Sequence, residues 1–375
     1  MGFENEQMQI GELEIAFSQH PEISLIEKEL RRGKEGHLLL TGLRASARAM
    51  VLAQLKEPLF IIMDNAEAAQ YLYADLRVLK GQAAESIAPS VFFFPAAQKR
   101  RAVDEAAQIQ RTECLSALQT DNTTLVVVTY PEAMAETVPA KEVLSANSMN
   151  LKVGQEIQQT ELGRQLAELG FEHVDFVFQP GQFAIRGSIV DIYSYSHDNP
   201  YRLDFFGDEI DSIREFDIED QLSKNRVEKA EIVGKGQKDD EQTNDCSITD
   251  YLSEEAVWIS NDFAVVRYKL EGLGQAGDAA QRRTIEIAEK STFATHSKIA
   301  FDIVPQPVFH KQFDLLAEDL KKHREDGYVI YILAEQKKQL DRLEAIIEAY
   351  PAPSQAGEAT FIPINATLHE GFVDH

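Results

Sequence analysis

The chain has 375 residues, 44% of them hydrophobic, and carries 37 Lys and Arg against 62 Asp and Glu, a formal net charge of −25. At roughly 150 residues per domain, that length gives two to four domains with ordinary cores. So acidic a balance argues against strong nonspecific DNA binding by the chain as a whole, because a duplex-gripping surface carries a basic excess.

Cys114 and Cys246 stand far apart and form no C-x-x-C pair, so neither a zinc cluster nor a disulfide framework is signalled. The nine histidines form no H-E-x-x-H or H-x-H cluster. No metal and no cofactor are expected. The N-terminal stretch MGFENEQMQIGELE is acidic and polar, unlike a signal peptide, and no apolar run approaches the ~20 residues that span a bilayer. A reduced, cytoplasmic location without membrane contact is the expectation.

The first third alternates strands and helices. HLLLTG (37–42), LFIIMD (59–64), VFFF (91–94) and LVVVT (125–129) read as buried strands, with helices at SARAMVLAQL and AEAAQYLYADL. Such alternation argues for a parallel α/β sheet. Near residue 150 the pattern changes. HVDFVFQPGQFAIRGSIVDIYSY and the residues up to 217 read as an antiparallel meander, with Val174, Phe176 and Phe178 on one strand face and a turn at Pro180-Gly181. TELGRQLAELG (160–170) is its packing helix. Polar and Gly-rich connections, KGQKDDEQTNDCS (235–247) and EGLGQAG (271–277), flank another helix–strand piece. From Phe301 the pattern is α/β again, with helices at 313–323 and 336–348 and strands at 328–333 and 360–365. The sequence stops at HEGFVDH with no closing helix, so the last domain reads as cut short.

The expected fold class is α/β: a degenerate helicase-like parallel domain, an inserted antiparallel α+β domain, and a further small α/β domain. The expected limits are 1–138 and 222–303 for the two parts of the first domain, 139–221 for the insert and 304–375 for the last.

The segment after the first strand has the layout of a phosphate-binding loop, G-x-x-x-x-G-K-[ST]. There, glycines bare the backbone to phosphate, Lys reaches the β/γ-phosphates and Ser/Thr ligates Mg²⁺. Aligned on Gly42, the second glycine is replaced by Ala47, the lysine by Arg48 and the hydroxyl by Ala49. An ordinary strand–turn–helix explains the segment equally well. A helicase's metal-binding strand ends in Asp-Glu, whereas VWISND ends in Asn261-Asp262, and Asn lacks the charge that holds Mg²⁺. ATP hydrolysis by this chain is not expected. Lys99-Arg100-Arg101 could touch DNA phosphate or simply flank a solvated helix.

The stretch HVDFVFQPGQFAIRGSIVDIYSY…YRLDFFGDEIDSIREFD closely resembles the second domain of the excinuclease subunit UvrB. It is still more similar to the matching domain of bacterial transcription-repair coupling factors. PQPVFHKQFDLLAEDLKK (305–322) resembles the domain that follows in that family. The resemblance spans about residues 10–375 and implies the family's N-terminal, UvrB-like module with a decayed nucleotide site. The segment between Phe94 and Ile109 is too short for the long hairpin that UvrB inserts into DNA.

The resemblance implies docking on the protein UvrA, largely through arginines. The arginine of F-x-x-R-G falls on Arg186; two others fall on Ala184 and His173. Gln182, flanking the turn, and Phe183 are the neighbouring candidates, Phe183 reading as a core residue ahead of a contact. For Arg186 the alternative is a cross-strand pair with Asp175, Asp191 or Asp204. RNA polymerase and DNA are implied partners of regions beyond this chain. Two other functions fit parts of the sequence: a nucleotide-dependent DNA helicase or excinuclease subunit with a divergent loop, and a DNA-binding scaffold.

Overall fold

The computed structural model describes residues 3–32, 36–81, 90–99, 102–103, 105–120, 124–197, 199–234, 246–274, 282–349 and 361–375. Helices α1 (Phe3–Ser18) and α2 (Pro21–Leu30) lead into β1 (Gly36–Thr41), α3 (Ala47–Gln54), β2 (Leu59–Ile62), α4 (Ala66–Leu79) and β3 (Val91–Phe93). A two-residue ladder, β4 (Gln98–Lys99) with β5 (Ala102–Val103), precedes α5 (Glu105–Thr120), β6 (Val126–Thr129), α6 (Pro131–Met134) and α7 (Lys141–Ala146). Every residue of β2, β3 and β6 is buried, as expected of parallel strands covered on both faces. Helix α4 begins at Asn65, whose side-chain oxygen accepts the Ala68 N–H at 2.9 Å. It turns Ala69, Leu72, Leu76 and Leu79 inward at helical spacing. Of the basic run 99–101, Arg100 and Arg101 and the side chain of Lys99 lie outside the described residues.

The inserted unit holds β7 (Ser148–Lys152), α8 (Gln159–Glu168), β8 (Glu172–His173), β9 (Gln182–Arg186), β10 (Ile189–Tyr193), β11 (Tyr201–Phe206), β12 (Glu209–Phe216), β13 (Ser223–Val227) and β14 (Lys229–Val233). Its six-stranded sheet runs β13-β12-β11-β10-β9-β8, and β14 pairs antiparallel with β7. Strand β11 shows why one face is core: Tyr201, Leu203 and Phe205 are buried, while Arg202, Asp204 and Phe206 point the other way. Leu162 and Leu166 of α8 complete this core with Phe183, Val190 and Ile192. Strand β13 is hydrogen-bonded to β12 and β14 to β7.

One sequence expectation is corrected here. Val174, Phe176 and Phe178 do not form a strand face. Strand β8 pairs parallel with β9, so the eight residues 174–181 must serve as the crossover between them. Val177 turns inward at 1% exposure, and Phe176 and Phe178 remain exposed.

A one-turn 3₁₀ helix (Ile248–Tyr251) is followed by β15 (Val257–Ser260), α9 (Phe263–Gly272), β16 (Arg283–Ile287) and β17 (Ser297–Ala300). These three strands return to the first sheet, whose order is β17-β1-β16-β15-β2-β6-β3, all parallel. Most of the 235–247 connection and residues 275–277 lie outside the described residues. The last unit contains β18 (Ile303–Pro305), α10 (Phe313–Glu325), β19 (Tyr331–Leu333), α11 (Lys337–Ala349), β20 (Ile362–Ile364) and β21 (Phe372–Asp374). Strand β18 pairs with β21 and β19 with β20, while Leu320, Ile347 and Phe361 form a small core. Ile364 is buried in the core of the first sheet.

Candidate functional site

Two places carry the sequence-derived candidates. The first is the loop after β1, where the phosphate-loop candidates lie. Gly42 has φ +71°, and a Cβ there would collide with the Phe301 carbonyl oxygen. Phe301 in turn donates its N–H to the Thr41 oxygen at 2.8 Å. The glycine therefore has a packing reason independent of phosphate. Ala49 is fully buried in α3. Arg48 is half-buried, its Nε donating to the Leu43 oxygen at 3.4 Å, and burial lowers its pKa. The carboxylate of Asp64, after β2, accepts from Asn261 Nδ2 at 3.1 Å. Asn261 is thus engaged by a protein carboxylate, while Arg48 donates to a backbone carbonyl. Asp262 caps α9, its Oδ1 accepting from the N–H groups of Ala264 (2.8 Å) and Val265 (3.1 Å). Among the described residues, no group of three or more His, Cys, Asp and Glu side chains could hold a metal ion.

The second place is the outer face of the inserted sheet. Asp191, only 1% exposed, is held by Arg202 at 2.8 Å (Nε–Oδ1) and 2.9 Å (Nη2–Oδ2). Arg202 also donates to the Gln221 carbonyl at 3.2 Å and lies over the Phe216 ring. The Asp191 bonds raise its pKa above the ordinary arginine value. The second partner of Asp191 is Arg186, whose side chain stays 31% exposed. The Arg186 guanidinium lies 4.5 Å from the centre of the Phe176 ring. The cross-strand alternative is thus realised with Asp191, while Asp204 pairs with Arg214. Arg202 is the structural clamp, and Arg186 is the half-available cation.

The remaining candidates separate. His173 is exposed at the sheet edge, its ring 4.9 Å from that of Phe183. Gln182 Oε1 accepts the N–H groups of Phe178 (3.0 Å) and Gln179 (3.2 Å), closing the turn before β9. Phe183 takes the core position: at 4% exposure it lies beneath α8, because alternation along β9 turns it away from the Arg186 face. Sequence reading missed two accessible aromatics beside this face, Phe176 (50%) and Phe178 (62%). The signal that could have found them is the short distance from His173 to the Pro180-Gly181 turn.

Residues 149–237 match the family described as the UvrB interaction domain. Over longer stretches the chain is similar to transcription-repair-coupling factors, as its sequence motifs imply. That of Bacillus subtilis (strain 168) is 33% identical over 193 residues, covering 49% of this chain and 16% of the relative. That of Myxococcus xanthus is 32% identical over 213 residues, covering 55% and 18%. That of Staphylococcus aureus (strain bovine RF122 / ET3-1) is 22% identical over 437 residues, covering 90% and 37%. The chain thus spans between about a sixth and somewhat over a third of the length of these relatives. No helix among the described residues is long and apolar enough to cross a membrane.

Proposed function

We propose that this chain is a non-catalytic, UvrB-like module of a transcription-repair coupling factor that recruits UvrA to RNA polymerase stalled at DNA damage. The observation that carries this reading is the outer face of the UvrB interaction domain, where Arg186 is partly exposed beside the accessible Phe176. Arginine and aromatic side chains are the residue types that anchor protein interfaces. Polymerase contacts and an ATP-driven motor are assigned to parts of the coupling factor outside this chain. The decayed loop supports a non-catalytic role, since Arg48 bonds the Leu43 carbonyl, Asn261 bonds Asp64 and Asp262 caps a helix. This weighs against a nucleotide-driven helicase, and the net charge of −25 weighs against a DNA scaffold.

Competition tests the reading. The chain should displace labelled UvrB from UvrA in a saturable manner, because both would use the same kind of domain. UvrB that stays bound at saturating chain would contradict the shared docking mode.

A further inference from the structure

We propose that the decayed phosphate loop is now a docking site for a peptide segment of the same chain, residues 368–371. Ser46, immediately before α3, donates its N–H to the Glu370 carbonyl oxygen at 3.3 Å. Its hydroxyl oxygen accepts the Glu370 N–H at 2.9 Å. The segment is therefore gripped through both polar groups of one peptide residue. The N–H at the start of α3, a group that a phosphate-binding loop offers to its ligand, is occupied by a carbonyl.

Asp75 on α4 completes the grip. It is 5% exposed, and each carboxylate oxygen has a donor: Oδ2 takes the Ser46 hydroxyl at 2.6 Å and Oδ1 takes the His369 N–H at 2.7 Å. One turn earlier on α4, the Tyr71 ring lies flat against His369, with centroids 3.5 Å apart and planes 12° apart. A buried carboxylate suits a peptide N–H and repels a phosphate at the same spot.

The docked segment is anchored beyond the loop as well. Gly371 accepts the Gln306 N–H at 3.1 Å, and β21 pairs with β18 immediately afterwards. Leu368 and Phe372 pack against the core of the first sheet. The loop consequently fastens the unit after residue 304 to the first sheet. This goes beyond the proposed recruitment of UvrA and does not depend on it.

Residue-resolved hydrogen exchange of the whole chain tests the latch. In the wild type the His369 and Glu370 amides should exchange slowly. Asp75→Ala should speed both by about tenfold or more, while the amides of β2 and β6 stay protected. Asp75→Asn keeps an acceptor for His369 and should remain near the wild type. If Asp75→Ala also loosens β2 and β6, Tyr71→Ala decides, because Tyr71 is 42% exposed and its loss removes only the His369 stack. Faster exchange at 369–370 in that variant supports the latch, and unchanged exchange overturns it. Wild-type amides at 369 and 370 exchanging at the free-peptide rate would also overturn it. So would protection of residues 42–48 by inorganic phosphate or by ATP with Mg²⁺.

Discussion

Arg186 and Asp191 form an ion pair across the β9–β10 hairpin in which the acid is 1% exposed and the base 31%. Because Arg202 holds the same carboxylate from β11, Arg186 can turn to a partner without stranding a buried charge. The two arginines should therefore respond differently to truncation. Arg186→Ala is expected to cost about 1 kcal/mol of stability, since its bond is charged but partly solvated. Arg202→Ala is expected to cost about 2–3 kcal/mol, because it removes the less exposed of the two partners. Urea denaturation of both variants checks the order; equal losses would contradict the division of roles.

The phenylalanines of the inserted unit should divide in the same way. Phe176→Ala and Phe178→Ala are expected to change stability by no more than about 0.5 kcal/mol, because both rings are largely outside the core. Phe183→Ala should cost about 3–5 kcal/mol, because its ring fills the space beneath α8. In UvrA binding the first two should weaken affinity by about tenfold each. Titrations in which both exposed variants bind like the wild type would remove the aromatic part of the surface.

In the loop after β1, Gly42→Ala combines a positive φ with a clash against the Phe301 carbonyl. It should lower stability by about 1–3 kcal/mol in thermal or urea unfolding. Restoring motif residues with Arg48→Lys and Ala49→Ser should produce no ATP binding by calorimetry. Ala47 still fills a glycine position, and Glu370 still occupies the Ser46 N–H. Heat of ATP binding in the double variant would contradict this account of the loop.

The cysteines supply a pH prediction. Cys114 is fully buried, and burial pushes its thiol pKa far above the ordinary value. Cys246 is partly exposed. One thiol should therefore react readily in the native chain, and the second only on unfolding. In the unfolded state Cys114 ionises near its ordinary value while the native thiol keeps its proton. Its contribution to stability consequently falls as pH rises past about 8.5, at up to about 1.4 kcal/mol per unit. Urea midpoints of wild type and Cys114→Ala between pH 8 and 10 check the slope; parallel curves would contradict it.

The parallel sheet was legible because β2, β3 and β6 are short apolar runs bounded by polar turns, a pattern that needs no long-range information. The antiparallel meander through β9 to β12 was legible from its short alternating runs and turn residues. The crossover at 174–181 was not. Val174, Phe176 and Phe178 alternate as a strand does, and only the parallel pairing of β8 with β9 forces them out of it. Arg186 was legible by motif, but its aromatic neighbour was hidden by that misreading. The contacts of Asp75 with Ser46 and His369 lay out of reach, because the last spans 294 positions and neither residue belongs to a recognisable motif.

The most direct measurement is a calorimetric titration of the chain with UvrA, in parallel with Arg186→Ala. The account predicts saturable binding of the wild type and a loss of about 2 kcal/mol or more in the variant, with the variant still folded. Absence of wild-type binding, or equal binding by the two, would contradict the claim that UvrA docks on the Arg186 face.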